Sequence, residues 1–246
     1  PELKSDEVDL ENISIKNPVD SSNMYPNIWV EIAEIIETNY TDYDGFVILH
    51  GTDTMAYTAS AFSFMLENLN KAIIFTGSQI PIGARRSDAK ENLITAVEIA
   101  ASGKVNEVCI YFEDQLYKAN RTVKVNTEHF EAFKSPNYPI LAEAGVTIKY
   151  KSVLQKKGNR ELVVHKNCSD DVAILKLFPG IKTATIEAII KSAKGIIIES
   201  LGAGNASTDP EFTTLLSQGI QQGTIIMNTS QCLHGEAVRG QYEHCL

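Results

Sequence analysis

Gly45-Phe46-Val47-Ile48-Leu49-His50-Gly51-Thr52-Asp53-Thr54-Met55 joins an apolar run to a cluster of hydroxyls and a carboxylate. Phe46 to Leu49 contain nothing polar, which suits a strand covered on both faces. From Met55 onward, Met55, Ala59, Phe62, Leu66 and Leu69 fall at helical spacing, so a helix over 55–70 is expected. The polar cluster therefore lies where a parallel strand hands over to a helix. In open α/β sheets that carboxyl edge is where ligands bind. Thr52, Asp53 and Thr54 have a plainer use as caps for the following helix, and the stretch alone leaves both uses open.

The pattern recurs. Ala72-Ile73-Ile74-Phe75 runs into Thr76-Gly77-Ser78-Gln79, and Gly195-Ile196-Ile197-Ile198 runs into Glu199-Ser200-Leu201-Gly202-Ala203-Gly204-Asn205. Thr224-Ile225-Ile226-Met227 runs into Asn228-Thr229-Ser230-Gln231-Cys232. Four buried strands ending in small residues, hydroxyls and amides make a setting for a small polar ligand.

Between these anchors the chain alternates strand and helix, the pattern of parallel βαβ units. A short strand is expected around 9–15. A helix over 27–40 follows, with Ile28, Ile32, Ile35 and Ile36 on its apolar face. Ser21 and Ser22, ahead of it, have turn or capping as their default use. After the strand at 72–76 come a helix over 87–101, with Ser87 or Asp88 as its N-cap, and a strand over 105–112. Residues 113–150 are irregular, and the basic stretch Lys149 to Arg160 is the linker candidate. A second α/β pattern has strands at 172–177, 195–199 and 224–229 and helices at 183–193 and 210–222. The organisation expected is a first domain over 1–155, a linker over 156–165 and a second domain over 166–246.

The chain has 246 residues, enough for one large domain or two smaller ones. A net charge of −9 argues against a nucleic-acid surface, because phosphate binding needs clustered Lys and Arg. Cys109, Cys168, Cys232 and Cys245 show no paired spacing, so neither a disulfide framework nor a zinc site is indicated, which fits a reducing compartment. No apolar run reaches membrane-spanning length.

Several chemistries fail on the residues. There is no Gly-x-Ser-x-Gly elbow, and His50, His129, His165, His234 and His244 stand in no partner motif. His50, at the end of a buried strand, reads as a satisfied core histidine. The phosphate-binding Gly-x-x-x-x-Gly-Lys-Ser/Thr run is absent. Gly202-Ala203-Gly204 begins a dinucleotide fingerprint, but Ser207 stands where its third glycine belongs. No His or Cys pair has metal-ligand spacing. What remains is hydroxyl chemistry with an amine as base: a partly desolvated lysine takes the proton of a threonine, and an aspartate orients the lysine. Thr52, Asp53 and Lys124 can form such a set. Spacing alone does not distinguish Lys124 from the other lysines.

His50-Gly51-Thr52-Asp53-Thr54-Met55 with Phe62 to Asn68 resembles the L-asparaginase family. So do Asp20-Ser21-Ser22, Thr76 to Pro81, Arg86 to Glu98, Val123-Lys124-Val125-Asn126, Phe133 to Asn137, Phe178-Pro179-Gly180, Gly202 to Asn205 and Ser230-Gln231-Cys232. The Ser-Gln-Cys stretch is similar to the cytoplasmic type I branch. The resemblance implies a larger flavodoxin-like parallel-sheet N-terminal domain and a smaller α/β C-terminal domain. It implies hydrolysis of L-asparagine to L-aspartate and ammonia, without metal or cofactor, by a cytoplasmic homodimer or homotetramer with no nucleic-acid or membrane partner. It carries the second catalytic threonine, the aspartate and the lysine onto Thr52, Asp53 and Lys124. The residues holding the substrate's α-carboxylate and α-amino group fall on Ser21 and Ser22, with Asp53 also reaching the amine. Ser78, Asn205 and Tyr242 also match substrate-site positions. Cys232 matches a regulatory asparagine site of the type I branch, its other reading being a buried structural cysteine.

The family's primary nucleophile is a threonine in a Thr-Gly-Gly-Thr-Ile type motif, and this sequence has none. By the resemblance that motif lies upstream of Pro1. Residues 1–246 are therefore expected to be a piece cut at both ends and inactive alone. Two other readings share the motifs: the asparaginase-like subunit of a tRNA-dependent amidotransferase, which the acidic balance disfavours, and a non-catalytic amino-acid-binding module.

Overall fold

The computed structural model describes residues 8–151, 154 and 158–238. The chain divides into two compact units, the first running to Cys168 and the second starting at Ser169.

The first unit is built on a mixed sheet. Helix α1 (Pro26–Asn39) precedes strand β1 (Gly45–Leu49), helix α2 (Met55–Met65), the two-residue strand β2 (Leu66–Glu67) and strand β3 (Ala72–Thr76). Helix α3 (Ala89–Ala101) and strand β4 (Val108–Phe112) follow. The chain then forms β5 (Gln115–Lys118), β6 (Val123–Lys124), β7 (Phe133–Lys134), β8 (Ala142–Glu143), β9 (Lys149–Tyr150) and β10 (Val163–Val164). The main sheet has the order β1-β3-β4-β5-β8-β9. Its first three strands are parallel, and β5, β8 and β9 continue it antiparallel.

The apolar runs have the predicted cause. Ile73 and Phe75 of β3 and Val108, Ile110 and Phe112 of β4 join Ile32, Ile36, Met55, Ala59 and Phe62 in a core beneath α1 and α2. The alternate residues Ala72, Ile74, Cys109 and Tyr111 pack with Ala96, Ile99 and Ala100 of α3. Both faces of these strands are covered, so their side chains are apolar but for Thr76 at the end of β3, whose hydroxyl donates to Tyr111 O at 2.9 Å, and the Tyr111 phenol. Fully burying a large apolar side chain contributes about 1.5–3 kcal/mol.

Three expectations change. Residues 9–15 form no strand; just beyond them the Lys16 N–H donates to Glu31 Oε1 at 2.8 Å. The helix expected over 55–70 stops at Met65, because Leu66 and Glu67 turn extended to pair antiparallel with Val164 and Val163. Asn68 then takes φ = +63°, a left-handed conformation that asparagine tolerates better than most residues. The irregular region after residue 113 contains short antiparallel strands, opened by a turn with Glu113 and Asp114 at φ = +42° and +60°.

The second unit holds β11 (Val172–Lys176), α4 (Thr183–Ser192), β12 (Gly195–Ser200), α5 (Pro210–Gln221) and β13 (Ile225–Ser230). Its three strands form a parallel sheet in chain order. Leu175, Ile196 and Ile198 pack with Ile186, Ile190, Phe212 and Leu216 of the two helices. Asp209 caps α5 by accepting the Glu211 N–H at 2.9 Å, and Pro210 opens the helix where its missing N–H costs nothing. The expected α/β architecture, with a parallel-containing sheet in a larger first part and a smaller sheet in a second, is what the chain adopts.

Candidate active site

The carboxyl ends of β1 and β3 carry the polar clusters to the same sheet edge. β1 ends at Leu49, and the His50 N–H still pairs with Thr76 O at 2.9 Å. The next residues leave the sheet as a turn before α2. A Cβ on Gly77 would stand 2.2 Å from His50 O, and one on Gly51 would stand 2.5 Å from Ser21 Oγ. Only glycine lets the two strand ends and the Ser21 segment approach this closely.

Thr52, Asp53 and Lys124 meet there. Lys124 Nζ lies 2.8 Å from Thr52 Oγ1 and 2.7 Å from Asp53 Oδ1. The lysine side chain is 16% exposed and that of Asp53 66%, so the amine sits inside the site and the carboxylate at its mouth. Thr52 Oγ1 donates to Gln79 Oε1 at 3.0 Å. Gln79 Nε2 in turn donates to His129 O at 3.2 Å.

Lys124 is held from behind. Its strand β6 pairs antiparallel with β7, Lys124 opposite Phe133. Phe133 is buried and packs edge-on against Phe112 with ring centroids 5.0 Å apart. The Val125 N–H closes the pair on Ala132 O at 2.8 Å. A residue distant in sequence thus reaches the β1 edge because a buried aromatic pair anchors its strand.

Ser21 and Ser22 form a 3-10 turn, Ser21–Asn23, capped by Asp20. The Asp20 carboxylate accepts from the Ser22 hydroxyl and backbone N–H, and these bonds hold its pKa below the ordinary value. Ser21 is buried against Gly51 and its carbonyl accepts from Thr54 Oγ1 at 2.6 Å. Ser22 is exposed. The helix-capping use of the Thr-Asp-Thr cluster does not hold: Thr54 occupies the N-cap position of α2 without a side-chain cap bond. Thr52, Asp53 and Thr54 instead bond to Gln79, Lys124 and Ser21.

Ser78 lies between Gly77 and Gln79 at the end of β3 and is half-buried. The loop it belongs to is tied down by Asp88, whose carboxylate accepts the Gln79 N–H at 3.0 Å, the Ile80 N–H at 3.1 Å and Asn92 Nδ2 at 3.1 Å. Asp88 therefore does not cap α3 with its side chain; Ser87 Oγ accepts from the Ala89 N–H at 3.1 Å. Sequence reasoning gave no site role to Gln79 or Asp88. A glutamine one residue past Ser78 at a strand end was a visible signal, but its partner across the turn was not.

Two of the remaining candidates, Asn205 and Cys232, belong to the second unit. Asn205 is in the second unit, where its backbone pairs with Leu201 to close a tight turn after β12. Gly202 and Gly204 there take φ = +53° and +110°, so these glycines serve that turn rather than a phosphate loop. Cys232 is exposed, its N–H bonded to Ser230 Oγ at 3.0 Å, which removes the reading of a buried structural cysteine. Tyr242 lies outside the described residues. Among the described residues no group of three or more His, Cys, Asp or Glu can hold a metal ion, and no helix is long and apolar enough to cross a membrane.

A parallel sheet edge presenting a threonine hydroxyl between an amine and an amide, with a carboxylate at the mouth, defines an α/β enzyme working by hydroxyl and amine chemistry. The family follows from comparison with known proteins. Residues 3–156 match the model of the N-terminal asparaginase domain, and residues 171–245 that of the glutaminase/asparaginase C-terminal domain. The chain belongs to the asparaginase family. It is 44% identical over 226 residues to L-asparaginase 1 of Escherichia coli K12, covering 91% of this chain and 67% of that protein. It is 45% identical over 226 residues to the 60 kDa lysophospholipase of Mus musculus, covering 91% of this chain and 40% of that protein. The crystal structure of L-asparaginase I from Vibrio cholerae superposes with a TM-score of 0.92 at 41% identity, over 98% of this chain and 74% of that one.

Proposed function

We propose that the protein hydrolyses L-asparagine to L-aspartate and ammonia. The observation that carries this reading is the contact of Lys124 Nζ with both Thr52 Oγ1 and Asp53 Oδ1 at 2.8 and 2.7 Å. In this arrangement the lysine donates and the threonine proton points to Gln79. When Lys124 is neutral, the hydroxyl turns to Nζ over the same 2.8 Å and its proton can pass to the amine. Thr52 is then a base toward water, and the proton it takes up is returned to the amide nitrogen, which leaves as ammonia. Asp53 holds the amine in place and, at the exposed mouth, meets the ammonium of the substrate. Ser21 and Ser22 receive the α-carboxylate, and the Ser78 carbonyl faces the side-chain amide. The first nucleophile of the family, a threonine in a Thr-Gly-Gly-Thr-Ile type motif, is not among residues 1–246.

The type I resemblance extends the proposal to a cytoplasmic homo-oligomer, in which Asn205 approaches a neighbouring subunit's site, Tyr242 belongs near the substrate site and Cys232 lines a regulatory asparagine site. The exposure of Cys232 supports its access to a ligand. The deciding experiment is ammonia release from L-asparagine by the purified full-length protein. A saturable, asparagine-dependent rate is expected; binding of aspartate without any turnover would favour a non-catalytic amino-acid-binding protein.

A further inference from the structure

Behind Thr52 lies a buried chain of polar groups that the proposed reaction does not use. His50 Nδ1 is 2.7 Å from Gly51 O, and His50 Nε2 is 2.9 Å from Thr58 Oγ1. Trp29 Nε1 is 3.0 Å from the same Thr58 Oγ1. Three elements meet here: α1 supplies the indole, α2 the hydroxyl and the end of β1 the imidazole. Thr58 is fully buried and His50 is 8% exposed.

The direction of each bond is fixed by what each group can do. A carbonyl only accepts, so Nδ1 of His50 carries the proton that reaches Gly51 O. An indole N–H only donates, so Thr58 Oγ1 accepts from Trp29. An imidazole protonated at Nδ1 alone has an accepting Nε2, and the hydroxyl proton of Thr58 goes to it. All the bonds are satisfied in this one arrangement. A proton on Nε2 would face the hydroxyl that is already pointed at it and would place a charge in an apolar setting lined by Phe75, whose ring stands 6.1 Å from the imidazole. Burial accordingly pushes the His50 pKa down.

We propose that His50 is a positioning residue for Thr52: Trp29 and Thr58 lock it as the neutral Nδ1–H tautomer, and that proton pins the Gly51 carbonyl. The Gly51–Thr52 peptide plane is then fixed, and with it the direction in which Thr52 Oγ1 faces Lys124. The same glycine lies against Ser21, so one pinned peptide sets both the hydroxyl and the wall of the α-carboxylate site. The inference rests on the amidohydrolase reading for its purpose, but its chemistry is independent of turnover.

The test has two arms. In the first, 15N NMR of the full-length protein labelled at histidine reads the tautomer near neutral pH without any assay of activity. A neutral ring protonated at Nδ1 is expected. A ring protonated at Nε2, alone or together with Nδ1, overturns the proposal. In the second, Thr58→Val removes both hydrogen-bonding roles in a side chain of nearly the same shape. The kcat for asparagine is expected to fall by about 10- to 100-fold with KM held, because a small misplacement of a reacting group is costly. Thr58→Ser is expected to restore both kcat and the wild-type tautomer spectrum. A folded Thr58→Val enzyme with unchanged kcat would show that the chain only fills space. The spectrum of the unaltered protein decides the tautomer even where Thr58→Val fails to fold.

Discussion

Replacing Lys124 by Met separates catalysis from binding and from stability. The side chain keeps an unbranched apolar stem one atom shorter than that of lysine, so the pairing of β6 with β7 is retained. What is lost is the amine 2.8 Å from Thr52 Oγ1. Removing a positioned acid or base typically costs roughly 10²–10⁴-fold, or about 3–5 kcal/mol in the barrier. The stability cost is much smaller. Asp53 is 66% exposed and is re-solvated when its partner goes, so the ion pair is worth at most about 1 kcal/mol after solvent screening. Thr52 keeps its bond to Gln79. Ammonia release, calorimetric titration with L-aspartate and a urea midpoint measure the three quantities on Lys124→Met of the full-length protein. Turnover should collapse while aspartate binding and the midpoint stay close to wild type. Near-normal ammonia release would remove Lys124 from the mechanism, and an equal loss of all three would make its role one of folding.

Asparagine should be preferred to glutamine, by the roughly 1–3 kcal/mol that one methylene is worth in a closed pocket; comparable kcat/KM values for the two amides would refute the substrate assignment. His50 should make the protein acid-sensitive. Its folded pKa lies below 6.5, so the unfolded state takes up the proton first; the stability it contributes is present above about pH 6.5 and is lost as pH falls below that value. Urea midpoints between about pH 8 and 5 should show this slope, and a slope unchanged in His50→Gln would assign it to other groups. Gly77→Ala should destabilise by about 1–3 kcal/mol, since its Cβ would stand 2.2 Å from the His50 carbonyl, a backbone atom that cannot swing aside. A loss under about 0.5 kcal/mol would mean that the two strand ends have room to separate.

What could be seen in the sequence follows from how locally each feature is determined. β3 and β4 are visible because two-faced burial makes their runs almost wholly apolar; β1 is equally apolar although it lies at the sheet's edge, half-buried, with Leu49 exposed. The helical periodicity runs past the end of α2 because Leu66 and Leu69 continue it. Both are in fact buried, but Leu66 lies in β2, where Val164 supplies the pairing, and Leu69 lies beyond that strand. No local pattern reveals a partner that far along the chain, and the other two-residue strands were missed for the same reason. The site shows the same division. Thr52 and Asp53 stood out at a strand end, whereas Lys124 was one lysine among many until family resemblance selected it. Its approach depends on Phe133 packing against Phe112. Gln79 carries no local sign of its role, because its bond to Thr52 spans two separate strand ends.

A crystal structure of the full-length protein with L-aspartate bound tests the central claim most directly. The α-carboxylate is expected within hydrogen-bonding distance of Ser21 and Ser22, and the α-amino group beside Asp53. Thr52 Oγ1 should lie between Lys124 Nζ and the ligand's side-chain carboxylate, with the Lys124–Thr52 contact kept near 2.8 Å. Aspartate bound away from the ends of β1 and β3, or a Lys124 withdrawn from Thr52 in its presence, would contradict the account.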